Sequence, residues 1–303
     1  MIRVRYSGVC GSDRAKLRPG WSGPMPDPWY PGHEIVGVDA RTGRLVAVDP
    51  LVPCRACSRC LRGEIQLCPR LRRIGWDLPG GLGELVLAPV PNVVDLHGLT
   101  DPAYGVLADP MAVALHGVRC GLDMPPGQLG VIGSGVLAVC TAACAMAADW
   151  NVHLLVRDPH RASELRHVLD VDTVPCTDAL PACDAVVDAA TGRDDGPLRQ
   201  ALSSVRDGGT VLVQNAYDPG VALSVPVRDL FRRSITVRGS FSYCRAAGRD
   251  DFRDAIRLLA TSTDWPALLT KARYRLPELP LALDDLGGPA STRPFRVLLA
   301  IDA

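Results

Sequence analysis

The sequence has no apolar run long enough to cross a bilayer, which argues against an integral membrane protein. The apolar run within its first residues, MIRVRYSGVCGSD, is too short for a secretory signal peptide, so we expect a cytoplasmic protein. Lysine is nearly absent, because the 33 basic residues include only Lys16 and Lys271. The 33 acidic residues balance them, and a net charge of zero gives no reason to expect nucleic acid or a membrane surface as a partner.

The composition is that of a folded globular protein. The chain has 303 residues, of which 47% are hydrophobic and 22% are charged, so it can bury the core of one large domain or two medium ones. Eleven cysteines are present. In a reducing compartment, thiols on this scale indicate metal ligands or small buried side chains rather than disulfide bonds.

Four of the cysteines lie in one short stretch, VPCRACSRCLRGEIQLCP, at positions Cys54, Cys57, Cys60 and Cys68. Their spacing is C-x2-C-x2-C-x7-C, which a tight loop can arrange with all sulfurs aimed at one point. Four thiolates around one divalent ion form a closed structural zinc site. An iron–sulfur cluster is a second possibility, since Pro69 follows the last cysteine, although bacterial ferredoxins have a three-residue final gap. A nucleic-acid-binding zinc ribbon is a third possibility, which the neutral charge does not favour.

A second landmark is the stretch LGVIGSGVLAVCTAACAMAADWNVHLLV, residues 129–156, which is typical of strand, glycine turn, helix and strand. Gly133 and Gly135 let the backbone approach a pyrophosphate at the helix N-terminus, together with Ser134, Val136 and Leu137. A tight turn without a ligand is the alternative. Further strands predicted at 183–192, 208–216 and 235–243, with a helix at 196–208, indicate a parallel sheet of strand–helix units.

In chain order, these landmarks resemble the zinc-containing medium-chain dehydrogenase/reductases, the superfamily of alcohol, sorbitol and threonine dehydrogenases. The motifs that carry the resemblance, besides the cysteine stretch and the glycine turn, are GVCGSD (8–13), PGHEIVG (31–37), ADPMAVALHGV (108–118), RGSFSY (238–243) and FRVLL (295–299). The resemblance implies an α/β fold in two parts. A GroES-like, β-rich catalytic domain would comprise residues 1–118 and 246–303, and a doubly wound Rossmann domain would comprise residues 119–245.

The resemblance also implies a catalytic zinc site. Its ligands would be Cys10, His33 and Asp109, with water or substrate in the fourth position and with Glu34 as a ligand found in some relatives. Asp13 matches the carboxylate that orients the zinc histidine, and Ser12 matches the hydroxyl that takes the alcohol proton. Two zinc ions per chain, a nicotinamide cofactor, a small alcohol or carbonyl substrate and a homo-oligomer (dimer or tetramer) follow as expectations.

The implied activity is zinc-dependent hydride transfer between NAD(P) and a secondary alcohol or polyol, or its ketone. Two alternatives stay open: an NADPH-dependent carbonyl reductase of a biosynthetic pathway, and a catalytically impaired member kept as a structural or partner-binding protein. Met1 stands only nine residues before Cys10, where relatives have a preceding hairpin, so an open sheet edge is expected. Ala15 replaces the histidine that often ends the proton relay.

The second nucleotide strand lacks the acidic residue that binds the ribose of NAD. Val156 takes that position, Arg157 follows it, and Asp158 with the next proline is expected to start a helix, so we expect NADP rather than NAD. His116 falls on a predicted helix and is interpreted as structural. The remaining cysteines have no ligand spacing and are interpreted as core thiols: Cys120, Cys140, Cys144, Cys176, Cys183 and Cys244.

Overall fold

The computed structural model describes residues 1–17, 21, 23–175, 180–190, 194–246, 248–262, 264–289 and 292–301. The strands are β1 Ile2–Val9, β2 Glu34–Asp39, β3 Leu45–Val48, β4 Leu51–Val52, β5 Arg72–Arg73, β6 Leu85–Val86, β7 Val93–Asp95, β8 Gln128–Ile132, β9 Asn151–Val156, β10 Asp172–Pro175, β11 Cys183–Asp188, β12 Val205–Val213, β13 Thr236–Gly239, β14 Arg245–Ala246, β15 Arg249–Asp250, β16 Ala272–Arg275 and β17 Val297–Ala300.

The helices are α1 Gly11–Leu17, α2 Ser58–Leu61, α3 Ala108–His116, α4 Val136–Met146, α5 Pro159–Leu169, α6 Gly196–Ser204, α7 Val227–Arg233, α8 Asp251–Ala260, α9 Asp264–Leu269 and α10 Leu279–Gly287. Short 3-10 turns cover Ile65–Leu67, Val90–Asn92, Pro102–Leu107 and Leu276–Glu278, and a π turn covers Gly117–Gly121. In the described part of the chain, no helix is both long enough and apolar enough to span a bilayer.

The chain divides into two compact units. The first contains Met1–Ala112 and Tyr243–Ala303, and the second contains Val113–Ser242. The sequence motifs placed the divisions at residues 118/119 and 245/246, a few residues later in each case.

The first unit is built on a sheet with strand order β16-β17-β1-β2-β3-β7, and β6 also pairs with β1. Strand β1 alternates buried Ile2 and Val4 with exposed arginines, as expected of a strand with one face on a core. It pairs antiparallel with β2 on one side and with β17 and β6 on the other. The first strand is therefore interior, and any open edge of this sheet lies at β7, β16 or the short β6 among the described strands.

The second unit is a parallel sheet with strand order β10-β9-β8-β11-β12-β13. Numbered along the chain this is 3-2-1-4-5-6, the order of a doubly wound dinucleotide-binding fold, and the predicted fold class is confirmed. The predicted strands and helices are all present with shifted ends. Strand β10 was missed, since its sequence DTVP is short, ends in proline and lies at the sheet edge with no fully buried residue.

Candidate active site

The pairing of β1 with β2 brings the first two metal motifs together. Gly8 lies opposite Glu34 in the antiparallel register, so the chain just after β1 meets the chain just before β2. Cys10 follows β1, and His33 precedes β2. Ligand atoms of Cys10, His33 and Glu34 all lie within 4.8 Å of one another. Cys10 and His33, which are 23 positions apart in sequence, thus lie in one cluster.

Asp13 holds the imidazole of this cluster. It lies in helix α1, is fully buried, and accepts a hydrogen bond from the backbone N–H of Cys10 at 3.2 Å. Its other oxygen lies 3.4 Å from Nδ1 of His33. Burial opposes a charge on His33, but Asp13 and Cys10 together raise its pKa well above the usual value. Since Nδ1 faces the carboxylate, Nε2 is the ring nitrogen placed to bind a metal ion, which would displace the proton that Nε2 carries in the charged ring.

Glu34 is paired with Arg296, which precedes β17. Both side chains are buried, and the guanidinium donates to Oε2 of Glu34. Gly8 makes room for this pair, because a β-carbon at that position would lie 2.2 Å from Oε2. The burial of Arg296 opposes its charge, but Glu34 and Cys10 raise its pKa above the usual value. Oε1 of Glu34 is buried and has no hydrogen-bond partner among the described residues.

Asp109 is held by a separate network and is not part of the group formed by Cys10, His33 and Glu34. The buried Tyr243 hydroxyl lies 2.9 Å from Oδ1 of Asp49 and 3.1 Å from Oδ1 of Asp109, so its single proton serves one carboxylate at a time. Burial raises the pKa of Asp109 to about 6, with His33 opposing and Glu34 adding to the rise. Burial also raises the pKa of Asp49 to about 6, although Arg245 pairs with it.

The donor set fits a zinc ion. A thiol, an imidazole and a carboxylate with an unpartnered buried oxygen converge, and these are the side chains that zinc prefers. The charges of His33 and Glu34 act on the pKa of Asp109 in opposite directions. Ser12 lies in the first turn of α1 and is partly exposed, as is Ala15 one turn later.

The four-cysteine stretch forms a second cluster. Its sulfurs lie 3.4 Å apart for Cys57 and Cys60, and 3.9 Å apart both for Cys54 and Cys60 and for Cys57 and Cys68. Zinc–sulfur bonds of about 2.3 Å in a tetrahedron require sulfur separations of about 3.8 Å. The four sulfurs therefore have nearly the spacing that one zinc ion imposes.

Local backbone geometry assembles the segment from Cys54 to Cys68, called the cysteine lobe below. The backbone N–H of Ala56 lowers the pKa of Cys54 to about 5, and Arg70 donates to the same sulfur at 3.3 Å. Gly63 adopts a φ of 80°, and its missing β-carbon would lie 2.3 Å from Cα of Ala246. Only glycine permits both the positive φ and the close approach, so the lobe docks against β14 at this residue.

The glycine turn of the second unit has the shape of a phosphate site. Gly133 follows β8 with a φ of 127°, where a β-carbon would lie 2.9 Å from the carbonyl oxygen of Ala189. Gly135 precedes helix α4, and no atom of the described residues lies within 4 Å of the β-carbon position it leaves open. Ser134 is partly buried, Val136 is buried and Leu137 is partly buried. The first glycine serves the fold, and the second leaves space above a helix N-terminus.

The end of β9 follows the predicted pattern. Val156 is buried and Arg157 is exposed. Asp158 caps helix α5 by accepting hydrogen bonds from the backbone of His160 and Arg161, so its predicted capping role is confirmed. Sequence reasoning missed Arg161, which is buried and donates to the carbonyl oxygen of Ser134 at 3.4 Å. An arginine in the first turn after the capping residue was the available signal.

The thiols without ligand spacing are mostly core residues. Four are buried: Cys140, Cys144, Cys183 and Cys244. The interpretation of Cys120 as a core thiol needs correction, because the π turn after α3 leaves it only partly buried. Cys176 lies outside the described residues. His116 is buried at the end of α3, as the helix prediction required.

Comparisons with known proteins agree in both sequence and fold. Residues 1–98 match the family model described as the alcohol dehydrogenase GroES-like domain. The L-galactonate-5-dehydrogenase of Escherichia coli K12 is 28% identical over 297 residues, which cover 90% of this chain and 84% of the relative. The D-altritol 5-dehydrogenase of Agrobacterium fabrum C58 is 27% identical over 328 residues, and the match covers 97% of this chain and 90% of the relative.

A solved structure from Sinorhizobium meliloti 1021, described as a zinc-binding dehydrogenase bound to NADP, superposes with a TM-score of 0.85. It is 26% identical and the match covers 99% of this chain and 91% of that one.

The cysteine lobe yields a stability prediction. Replacing Cys57 with serine removes one of the four sulfurs, and metal binding to such sites is coupled to folding, so we expect a lower melting temperature. Each kcal/mol lost lowers it by about 2–4 °C in a domain of this size. Calorimetry would measure the melting temperature, and zinc analysis would measure the metal content. Cys120→Ser, at a thiol outside the cluster, is the control. A Cys57→Ser protein of normal stability that has lost its activity would contradict a structural role.

Proposed function

Since the chain belongs to the zinc-containing medium-chain dehydrogenase/reductases, we propose that it oxidises a secondary alcohol or polyol with a nicotinamide cofactor, and catalyses the reverse reduction. The convergence of Cys10, His33 and a buried carboxylate beside Asp13 carries this proposal. Relatives named for L-galactonate and D-altritol support a polyhydroxylated substrate. The thiolate-rich lobe favours a reducing, cytoplasmic location.

In this mechanism Cys10, His33 and Asp109 would hold the catalytic zinc, and the cysteine lobe would hold a second ion. A bound zinc ion supplies a lowered pKa for an alcohol hydroxyl and polarises a carbonyl. Asp13 keeps the proton of His33 on Nδ1 and so orients the ring. Tyr243 orients Asp109 through its hydroxyl.

The proton of the alcohol would pass to the hydroxyl of Ser12. Ala15 has no group to carry the proton further, although it lies where relatives have a histidine. Both residues are partly exposed. Water therefore takes the proton directly from Ser12 in this chain, which shortens the relay to a single side chain.

A pair of variants distinguishes the role of Asp109 from that of Glu34. Asp109→Asn weakens a zinc ligand without breaking an ion pair, so we expect kcat/KM to fall by at least about a hundredfold with cofactor binding intact. Glu34→Gln leaves buried Arg296 without its anion, which costs about 3–5 kcal/mol, so we expect a lower melting temperature.

Zinc analysis, kinetics and calorimetry of both variants would test this assignment. We expect two zinc ions per chain in the wild type and fewer in Asp109→Asn. Full activity and full zinc content in Asp109→Asn would remove Asp109 from the site and make Glu34 the third ligand. Iron with a brown colour would overturn zinc in the lobe.

The cofactor is proposed to be NADP. Exposed Arg157 lies at the end of β9, where a 2′-phosphate would be bound, and Asp158 is committed to capping α5. A charge-assisted hydrogen bond there is worth about 1.5–3 kcal/mol. We expect Arg157→Ala to reduce the NADP-to-NAD ratio of kcat/KM by about tenfold to a hundredfold. Arg199→Ala, at an exposed arginine of α6, is the control. A wild-type preference for NAD that the Arg157 variant leaves unchanged would refute the proposal.

A homo-oligomer is proposed through the edge of the second unit. All four residues of the edge strand β13 are exposed, and their outer backbone groups are open to pairing. Phe231 and Val227 in the preceding helix are 81% and 76% exposed. A second copy of the chain would cover this apolar surface.

Light scattering after gel filtration would measure the oligomeric state. We expect Phe231→Asp to shift the wild-type oligomer toward monomer, because a buried unpaired charge is costly at an interface. Leu87→Asp, at a leucine of the first unit that is 74% exposed, should leave the mass unchanged. A monomeric wild type, or an unchanged mass in Phe231→Asp, would contradict the proposed interface.

A further inference from the structure

Lys16 is a buried lysine beside the candidate zinc site. It is one of only two lysines in the chain, and only 4% of its surface is exposed. Its Nζ lies 3.1 Å from the ring centroid of Trp76 and 4.9 Å from that of Trp29. The indole of Trp29 is fixed by a 2.8 Å hydrogen bond to the carbonyl of Gly75. The ammonium is thus held between two aromatic rings.

No hydrogen bond or ion pair to the Lys16 ammonium is found in the described part of the chain. The two carboxylates that influence it, Asp13 and Asp77, are engaged elsewhere: Asp13 with Cys10 and His33, and Asp77 with Arg73 at 3.1 Å. Burial lowers the pKa of Lys16 to about 8, against the attraction of Asp13. A buried ammonium without an anion is costly, and cation–π contacts offset only part of that cost.

The location of Lys16 connects it to the reacting centre. It lies four residues after Ser12 in α1, so both side chains are on one face of that helix. The ring of Trp76, over which the Lys16 ammonium lies, packs edge-on against the ring of His33, with centroids 6.4 Å apart. A second cation, Arg73, has its guanidinium carbon 4.1 Å from the centroid of the same indole. Two cations therefore flank an aromatic side chain that packs against a metal-site residue.

We propose that Lys16 binds an anionic group, a carboxylate or a phosphate, of the alcohol that this site oxidises. The inference rests on the proposed dehydrogenase function and deepens it, since it makes the substrate a polyol acid or polyol phosphate rather than a neutral polyol. The ammonium provides a positive charge and N–H donors that no described residue accepts, and the anion supplies the missing counter-charge. Arg73 adds a second positive charge while remaining bonded to Asp77.

The binding test uses the full-length, zinc-loaded protein and tryptophan fluorescence, because Trp76 and Trp29 contact the ammonium. Inorganic phosphate and acetate probe the site without any demand on sugar stereochemistry. We expect both anions to change the fluorescence of the wild type, and Lys16→Met to weaken their binding by about tenfold or more. Lys16→Arg keeps the charge and should retain binding. Lys271→Met, at the other lysine, which is exposed, is the matched control.

The kinetic test compares galactitol, L-galactonate and galactitol 1-phosphate as substrates or as inhibitors. We expect wild type to favour at least one anionic compound over galactitol by about tenfold to a hundredfold, and Lys16→Met to remove that preference. The carboxylate and phosphate arms show which anion the site takes. We expect Lys16→Met to raise KM for the anionic substrate and to change kcat for a neutral alcohol by less than about twofold. If Lys16 were purely structural, Lys16→Met would instead lower the melting temperature.

Equal phosphate and acetate binding in wild type and Lys16→Met, or an anion preference that survives Lys16→Met, would overturn the proposal. Anion binding that requires Lys16 in a protein that oxidises no alcohol would uphold the anion site and refute the dehydrogenase function. If the protein oxidised neutral alcohols and no assay depended on Lys16, the dehydrogenase function would be upheld and the anion site refuted.

Discussion

The antiparallel pairing of β1 with β2 is the interaction on which the candidate site depends. It sets Gly8 opposite Glu34 and so brings Cys10 to His33. The same ladder directs Ile2, Val4 and Ile35 into the core of the first unit. Because side chains alternate along a strand, a slip of one residue would turn the apolar set toward solvent and separate the candidate metal ligands in the same step. The burial of the core residues therefore fixes the strand register and, with it, the positions of Cys10 and His33.

Around this ladder, buried acids are placed beside partners that hold their orientation. Asp13 faces His33, Glu34 faces Arg296, and Asp49 accepts from Tyr243 and Arg245. Such buried pairs add little net stability, but removing one partner leaves a charge in a medium of low dielectric constant. Their value here is positional, since each carboxylate has few orientations that keep its partner. The Lys16 ammonium, by contrast, contacts aromatic faces and is paired with no acid among the described residues.

Local patterns were enough to predict the glycine turn, the cap at Asp158 and the clustering of four cysteines, because each depends on residues close in sequence. The parallel sheet followed from the alternation of strands and helices. Three features had no local signal. The Arg296–Glu34 pair joins residues 262 positions apart, and the Tyr243–Asp109 contact joins residues 134 apart. The burial of Lys16 depends on two tryptophans from separate loops. A motif records which residue types are present, and only the fold determines which of them meet.

The interior position of β1 also dictates an order of events during synthesis. Its partner β17 and the ion-pair partner Arg296 follow the whole second unit along the chain. The second unit, Val113–Ser242, is one continuous segment with local strand–helix connections, and it can fold while the chain is still growing. The residues around Cys10 and His33 are therefore made before the second unit, and the strand that completes their sheet is made after it. Until then the emerging chain exposes part of an apolar sheet, so the candidate metal-binding residues reach their final arrangement late in folding.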